Sequence, residues 1–384
     1  MSLNYYFDNS ATSFPKPDCV CDSVYDYMKN QGASPSRGTY KKSRDADMLL
    51  YKARKSVTKL INAKKTTEII FTQNATEAIN LAVFGYVKEG FHIMTTSFEH
   101  NAVWRTLNAV AEEKNCVLHT IKCDDCGNID FEDVKQLLSQ GIDFAVFTHG
   151  SNVIGNIVPI KELSSLCHEH NTPVLVDASQ TVGIIPVNVS GWEVEMLAFT
   201  GHKGPMGPTG TGVLYLKDGI TLTPLKYGGT GSMSSSKYQP DDSPDRYESG
   251  TLPMAAIVGL KSGVEFILNE GIQKIHSHEL SCIKRLIDGL SSIEGLTIYG
   301  EVDSEDRLPL ISINSVHFDC YKLAEILDER YSLMSRAGLH CAPQAHRVIG
   351  TDQIGTLRFS IGYFTKDKDV DYLISSIRTI MEGK

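Results

Sequence analysis

Met196-Leu197-Ala198-Phe199-Thr200-Gly201-His202-Lys203-Gly204 is an apolar, strand-like run that stops at a lysine held between two glycines. Lysine is poorly placed at the end of a buried strand. An ammonium group is costly to bury, and burial lowers its pKa. A lysine treated in this way is a candidate to form a Schiff base with a carbonyl group.

The surroundings of this run repeat its pattern. From about residue 66 to 216, short apolar segments alternate with amphipathic ones. Strands are predicted over 68–72, 92–96, 117–122, 144–148, 174–177, 196–199 and 212–216. Helices are predicted over 74–87, 101–114 and 160–170. The first of these starts with Asn74 as N-cap and Glu77 three residues on, a capping-box spacing. Strands apolar on both faces, alternating with helices, imply an α/β fold: a mostly parallel sheet flanked by helices. In such sheets ligands bind beyond the carboxyl ends of the strands.

After residue 216 the composition changes. Residues 226–250 are rich in Gly, Ser, Pro and Asp and predict a long surface loop, either a linker or a flap that crosses to another subunit. Beyond 254 a second unit is expected, with helices over 272–290, 320–330 and 366–381 and strands over 309–313 and 356–361. The predicted division is a large domain, 16–255, and a smaller α+β domain made from 1–15 and 256–384.

Bulk composition narrows the function. The chain has 384 residues, enough for more than one domain, and 41% of them are hydrophobic. Its net charge of -9 argues against nucleic-acid binding, which shows as basic excess. No apolar run approaches membrane-spanning length, and the first residues lack the basic and apolar regions of a signal peptide, so the cytoplasm is expected. Nine irregularly spaced cysteines do not read as a disulfide framework. Cys123-Asp124-Asp125-Cys126 lacks the second ligand pair of a zinc site and reads as a turn, so no metal is expected. Cys19, Cys21, Cys116, Cys167, Cys282 and Cys320 read as packing residues.

If the carbonyl partner of Lys203 belongs to pyridoxal 5'-phosphate, the chain needs a phosphate cradle, a carboxylate for the pyridine nitrogen and a group over the ring. The turn 72–77 supplies a helix N-terminus, where Ala75 and Thr76 offer free N–H groups and a hydroxyl. Asp177 closes the strand 174–177, at the functional edge of the sheet; the alternative is a helix N-cap. His100 follows another strand and suits stacking on a planar cofactor. Asn152, after a third, suits a hydrogen bond to cofactor or substrate, or else a turn.

Six motifs now stand in order: Glu99-His100-Asn101, His149-Gly150-Ser151-Asn152, Val176-Asp177-Ala178-Ser179-Gln180, Thr200-Gly201-His202-Lys203, Tyr247-Glu248-Ser249-Gly250-Thr251 and Arg336-Ala337-Gly338-Leu339-His340-Cys341-Ala342-Pro343. The chain resembles the class V aminotransferase group of fold-type I pyridoxal-phosphate enzymes, and within it cysteine desulfurases of the SufS type. The likeness runs from Tyr6 to the last helix. It implies that Lys203 binds the cofactor covalently, Asp177 pairs with the pyridine nitrogen, Gln180 with the phenolic oxygen, and His100 stacks on the ring. Thr76, Thr200 and His202 would hold the phosphate. Thr251 would reach the cofactor of a neighbouring subunit, which implies a homodimer with shared sites.

The resemblance also implies the activity. Cys341 matches the sulfur-accepting cysteine, in a loop bracketed by Gly338 and Pro343, where Arg336 and His340 are placed to favour the thiolate. Arg358 matches the position that grips the substrate carboxylate, a bidentate task suited to arginine. L-Cysteine would become L-alanine, with its sulfur left on Cys341 as a persulfide, Lys203 acting as base and His100 shuttling protons. Asn101 stands where SufS-type enzymes carry a second histidine, and Leu339 where they carry the first of two. The short loop implies a separate sulfur-acceptor protein. The alternatives are a selenocysteine lyase, a cysteine sulfinate desulfinase, a transaminase-like enzyme, or an inactive scaffold with this fold.

Overall fold

Seven strands build the main sheet: Ile69–Thr72 (β1), His92–Thr96 (β2), Val117–Ile121 (β3), Phe144–Thr148 (β4), Val174–Asp177 (β5), Met196–Thr200 (β6) and Gly212–Leu216 (β7). They lie in the order β1-β7-β6-β5-β4-β2-β3. Six run the same way, and β7 alone runs against both of its neighbours. The reason is visible in single strands, where side chains alternate between faces. Leu197 and Phe199 of β6 join one buried cluster, while Met196 and Ala198 join another. Ile69 and Phe71 part from Ile70 in the same way. Apolar residues on both faces require cover on both faces, which the intervening helices provide. This computed structural model describes residues 5–36, 38–302, 304 and 306–383. The first four residues, read above for a leader, and the last, Lys384, lie outside the described residues.

A second sheet of four antiparallel strands comprises Leu296–Tyr299 (β8), Leu310–Ser315 (β9), Arg336–Gly338 (β10) and Thr356–Ser360 (β11), in the order β10-β11-β9-β8. One face carries Ile311, Ile313, Leu357 and Phe359 into a core with the helices Ile272–Ser291, Cys320–Tyr331 and Asp367–Glu382. The opposite face turns to the main sheet, where the Ser312 hydroxyl donates to the Val153 carbonyl at 2.6 Å. The N-terminal segment joins this second body: Tyr5–Tyr6 pairs in parallel with Leu333–Met334, and Asp8 bridges to Ser360.

Some expectations change. Residues 336–338, read as loop, form the edge strand β10, because Arg336 to Gly338 pair with β11. Cys19 and Cys21 are exposed on the helix Asp18–Asp26, whose single buried residue is Val20. Cys167, Cys282 and Cys320 are buried as expected. The Cys123 segment is a turn, in which Asp124 Oδ1 accepts from the N–H groups of Cys126 and Asn128. Between Leu216 and Met254 the chain forms no strand or helix. It is anchored by a buried ion pair between Arg54 and Glu248, and Glu248 also accepts from the Phe71 N–H at 2.6 Å. No helix among the described residues is long and apolar enough to cross a membrane.

Candidate active site

The parallel strands end at one edge of the main sheet, with Thr148 of β4 level with Asp177 of β5. Residues just past these ends enclose a cavity of about 150 Å³. Ala75, Thr76, His100, Asn152, Asp177, Gln180, Thr200, His202 and Lys203 all line it.

The helix Ala75–Tyr86 (α1) begins at its rim. Asn74 caps it by accepting from Glu77 N at 2.9 Å, and Glu77 reaches back to Gln73 N at 2.6 Å. That leaves the N–H groups of Ala75 and Thr76 for a ligand. The cradle depends on close approach by β7. A Cβ on Gly212 would lie 2.2 Å from the Asn74 carbonyl carbon, so only glycine fits.

Lys203 lines the cavity, and its side-chain amine makes no ion pair or hydrogen bond among the described residues. Burial lowers its pKa from 10.5 to about 8, with Asp177 opposing the shift and Arg358 and Arg336 adding to it. Asp177 is oriented by Ser179, whose N–H and hydroxyl both donate to Oδ1, at 3.0 and 2.5 Å. It is an Asx turn and not a helix cap. His100 caps the helix Asn101–Glu113 (α2), its Nδ1 accepting from Ala102 N at 3.0 Å. This bond puts the ring proton on Nε2, and burial, aided by Lys203, pushes the pKa down to about 4. Gln180 uses one amide N–H on the Ser10 carbonyl at 3.2 Å, so a second donor is free. The Asn152 amide is less free than expected: it donates to the His340 carbonyl at 2.6 Å.

The second body contributes the remaining groups. Two hydrogen bonds to its carbonyls hold the Cys341 loop to the strand ends, the Asn152 side chain donating to His340 and the Asn101 N–H to Cys341 at 2.7 Å. His340 and Cys341 both adopt left-handed backbone, with φ of 49° and 58°. Non-glycine residues held there carry strain, which gathers at functional sites. The Arg336 guanidinium reaches Cys341 Sγ at 3.4 Å. His340 does not supply the expected positive charge. It is buried, bonds Thr356 Oγ1 at 2.9 Å, and its pKa is pushed down to about 2, chiefly by burial. Arg358 donates to Asp8 Oδ1 at 2.8 Å and to the Asn152 carbonyl at 2.9 Å. Cys341 is near enough to influence the charge on both Lys203 and Arg358.

Thr251 stands apart. It is exposed and lines grooves beside Arg54 and Glu248 and beside Gln73 and Glu77, but not the Lys203 cavity itself. Three residues were missed in the sequence. Asp8 and Ser179 orient functional groups, and buried Glu99 ties β2 to β4 by accepting from the Thr96 hydroxyl and the Thr148 N–H, both at 2.8 Å. Burial raises its pKa to about 8. Asp8 gave no signal because its partner lies 350 residues away.

These features fit a planar phosphorylated aldehyde. His202 Nδ1 is buried with no partner among the described residues, lines the same cavity as the start of α1, and suits a phosphate oxygen. The unpaired Lys203 amine, held near neutrality, suits a carbonyl. Asp177 lines the same cavity, and its Oδ1 is the oxygen that Ser179 holds.

A main sheet of this topology, with a lysine after β6 and an aspartate at the end of β5, defines a fold-type I pyridoxal-phosphate enzyme. The sequence profile of the aminotransferase class-V family matches residues 5–373, and the chain belongs to that family. Its cofactor is pyridoxal 5'-phosphate. The chain is 33% identical to a probable cysteine desulfurase of Pyrococcus abyssi, over 98% of this chain and 94% of the relative. It is 31% identical to a cysteine desulfurase of Haloferax volcanii, over 98% and 89%. The apo structure of a cysteine desulfurase from Thermococcus onnurineus NA1 superposes with a TM-score of 0.94 at 32% identity, covering 99% of this chain and 95% of the other.

Proposed function

We propose that this protein is a cysteine desulfurase that converts L-cysteine to L-alanine and takes the sulfur onto Cys341 as a persulfide. One observation carries the reading: a cysteine of the smaller body is tied by His340 and its own carbonyl to Asn152 and Asn101 at the Lys203 cavity, with Arg336 at its sulfur. A structural thiol would need none of this.

Lys203 would hold the cofactor's carbonyl carbon through Nζ, Asp177 the ring nitrogen, Gln180 the phenolic oxygen and His100 the ring face. Ala75, Thr76, Thr200 and His202 would hold the phosphate. The bound cofactor supplies an electron sink for the carbanion that forms at the substrate Cα. Arg358, with Arg336, binds the substrate carboxylate. Lys203, whose pKa burial lowers to about 8, takes the Cα proton in its unprotonated form. The Arg336 guanidinium stands at Cys341 Sγ, and this sulfur, as thiolate, attacks the substrate sulfur. An S–S bond forms, the Cβ–S bond breaks, and the electron pair stays with the carbon skeleton, which is protonated to alanine. Neutral His100, with its proton on Nε2, is placed to move a proton between sulfur and carbon.

The two bodies share this work as domains, 16–255 holding the cofactor and 1–15 with 256–384 carrying Cys341. The helix Met254–Glu270 straddles the division, since its buried side chains join the large core. Thr251, exposed and outside the lining of its own cavity, suits a homodimer in which it completes the partner's phosphate site. The short tethered loop suits delivery to a sulfur-acceptor protein that comes to Cys341, as in iron–sulfur cluster assembly. Nine free cysteines suit a reducing compartment, the cytoplasm.

The test is alanine release from L-cysteine and from L-selenocysteine by purified protein, with alkylation of the persulfide and mass spectrometry of the Cys341 peptide. Cys341→Ala retaining full turnover on L-cysteine would rule the scheme out.

A further inference from the structure

A second cavity lies behind the wall formed by Gln180 and Lys203, which line both spaces. It sits between the N-terminal segment, with Asn9 and Ser13, and the smaller sheet, with Leu308 and Leu310. Glu279, from the middle of the helix Ile272–Ser291 (α3), lines it as well. This side chain is 1% exposed, and neither carboxyl oxygen has a partner among the described residues. Such orphans are rare in folded proteins.

The titratable groups that face Glu279 do not neutralise it. They are Lys203 across the cavity, Tyr363, whose hydroxyl donates to Glu270 at 3.0 Å, and Cys282 on α3, whose sulfur lies 3.7 Å from Asp367 Oδ1. The apolar walls disfavour a bare carboxylate. Burial raises the Glu279 pKa well above the usual carboxylate range, which favours the carboxylic acid. The cavity measures about 30 Å³, and a water needs about 10–15 Å³ on that scale, so two waters fit.

We propose that Glu279 supplies and recovers protons for Lys203 through water held in this rear cavity. The inference rests on Lys203 being the base of the proposed reaction. The carboxylic acid gives its proton through water to the Lys203 amine and becomes a carboxylate. It regains the proton when the Lys203 ammonium releases it, so no electron moves and the proton count closes. The raised acid and the lowered ammonium bring the two proton affinities together, which makes the exchange reversible.

Glu279→Gln keeps the shape without the titrating proton, and Glu279→Leu fills the space should the amide fold badly. In the purified protein at pH 7, the infrared difference between wild type and either variant should show a protonated-carboxyl band that shifts in D2O. In the holoenzyme, both variants should lower kcat on L-cysteine about tenfold with KM and cofactor absorbance unchanged. They should also flatten the pH profile of kcat, and Glu279→Asp should restore part of it. A carboxylate-only difference spectrum, or a variant with wild-type kcat and pH profile, overturns the proposal. Should wild type release no alanine from L-cysteine, the desulfurase reading fails instead. Deuterium exchange at Cα of bound L-alanine, followed by NMR in wild type and Glu279→Gln, then still decides the role of Glu279.

Discussion

Arg336 and Arg358 lie directly opposite each other on β10 and β11. Like charges so placed repel. Arg358 is 1% exposed, and burial and Arg336 both lower its pKa. Asp8 is its one carboxylate partner among the described residues. One carboxylate between two guanidiniums leaves positive charge uncompensated beside Cys341, and the carboxylate of an amino-acid substrate is its natural complement.

Replacing Arg358 by lysine should therefore raise KM for L-cysteine. Loss of a charged bidentate contact is worth about 1.5–3 kcal/mol, a factor of about 10–100. Steady-state kinetics measures this; an unchanged KM would move the carboxylate site elsewhere.

Lys203 makes the cofactor-free protein sensitive to pH. Its pKa is depressed to about 8 in the folded chain against 10.5 unfolded, so the unfolded state binds the extra proton between those values. Stability should rise as pH climbs from about 8 to 10.5. Lys203→Met removes the buried amine and should stabilise the apo protein at pH 7 by up to ~3 kcal/mol, with the gain fading above that window. Urea denaturation of both proteins across pH tests the sign.

Asn152→Ala severs the side-chain tie to the Cys341 loop. Cofactor absorbance should persist while persulfide formation slows about tenfold, the kinetic equivalent of one hydrogen bond of ~1.4 kcal/mol. Stopped-flow trapping of the Cys341 persulfide separates this from lost cofactor.

Arg54→Ala leaves Glu248 buried without its ion-pair partner and takes a donor from the Ile69 carbonyl. Breaking a buried pair from one side costs about 3–5 kcal/mol. The double replacement Arg54→Met, Glu248→Leu should cost less than Arg54→Ala alone. Thermal denaturation ranks the three proteins.

Gly212→Ala should lower cofactor retention, because the new methyl group displaces the Asn74 backbone at the start of α1. Equilibrium dialysis against pyridoxal phosphate reads the loss, and an unaltered affinity would remove α1 from the phosphate site.

The main sheet was legible because its signals are local. Apart from the edge strand Val117–Ile121, each strand from Ile69 to Leu216 is a short run buried on both faces, and α1 announces itself with Asn74 and Glu77. Lys203, Asp177 and His100 stood out because each follows such a run. What escaped depends on distant partners. The edge strand β10 exists only through β11, and Asp8 matters only once Ser360 and Arg358 arrive beside it. The 20-residue helix Lys41–Leu60 starts at Tyr40 without a side-chain cap and so lacked a boundary signal. His340 was misjudged because the run Leu339-His340-Cys341-Ala342 reads as an open loop, while its spatial surroundings remove it from water.

The meeting of Asp8 with Arg358 joins positions 350 residues apart. Because synthesis runs from Asp8 toward Arg358, a nascent chain can assemble the main sheet, with Lys203 and Asp177, while Asp8 still waits for its partner and Cys341 has not yet been made.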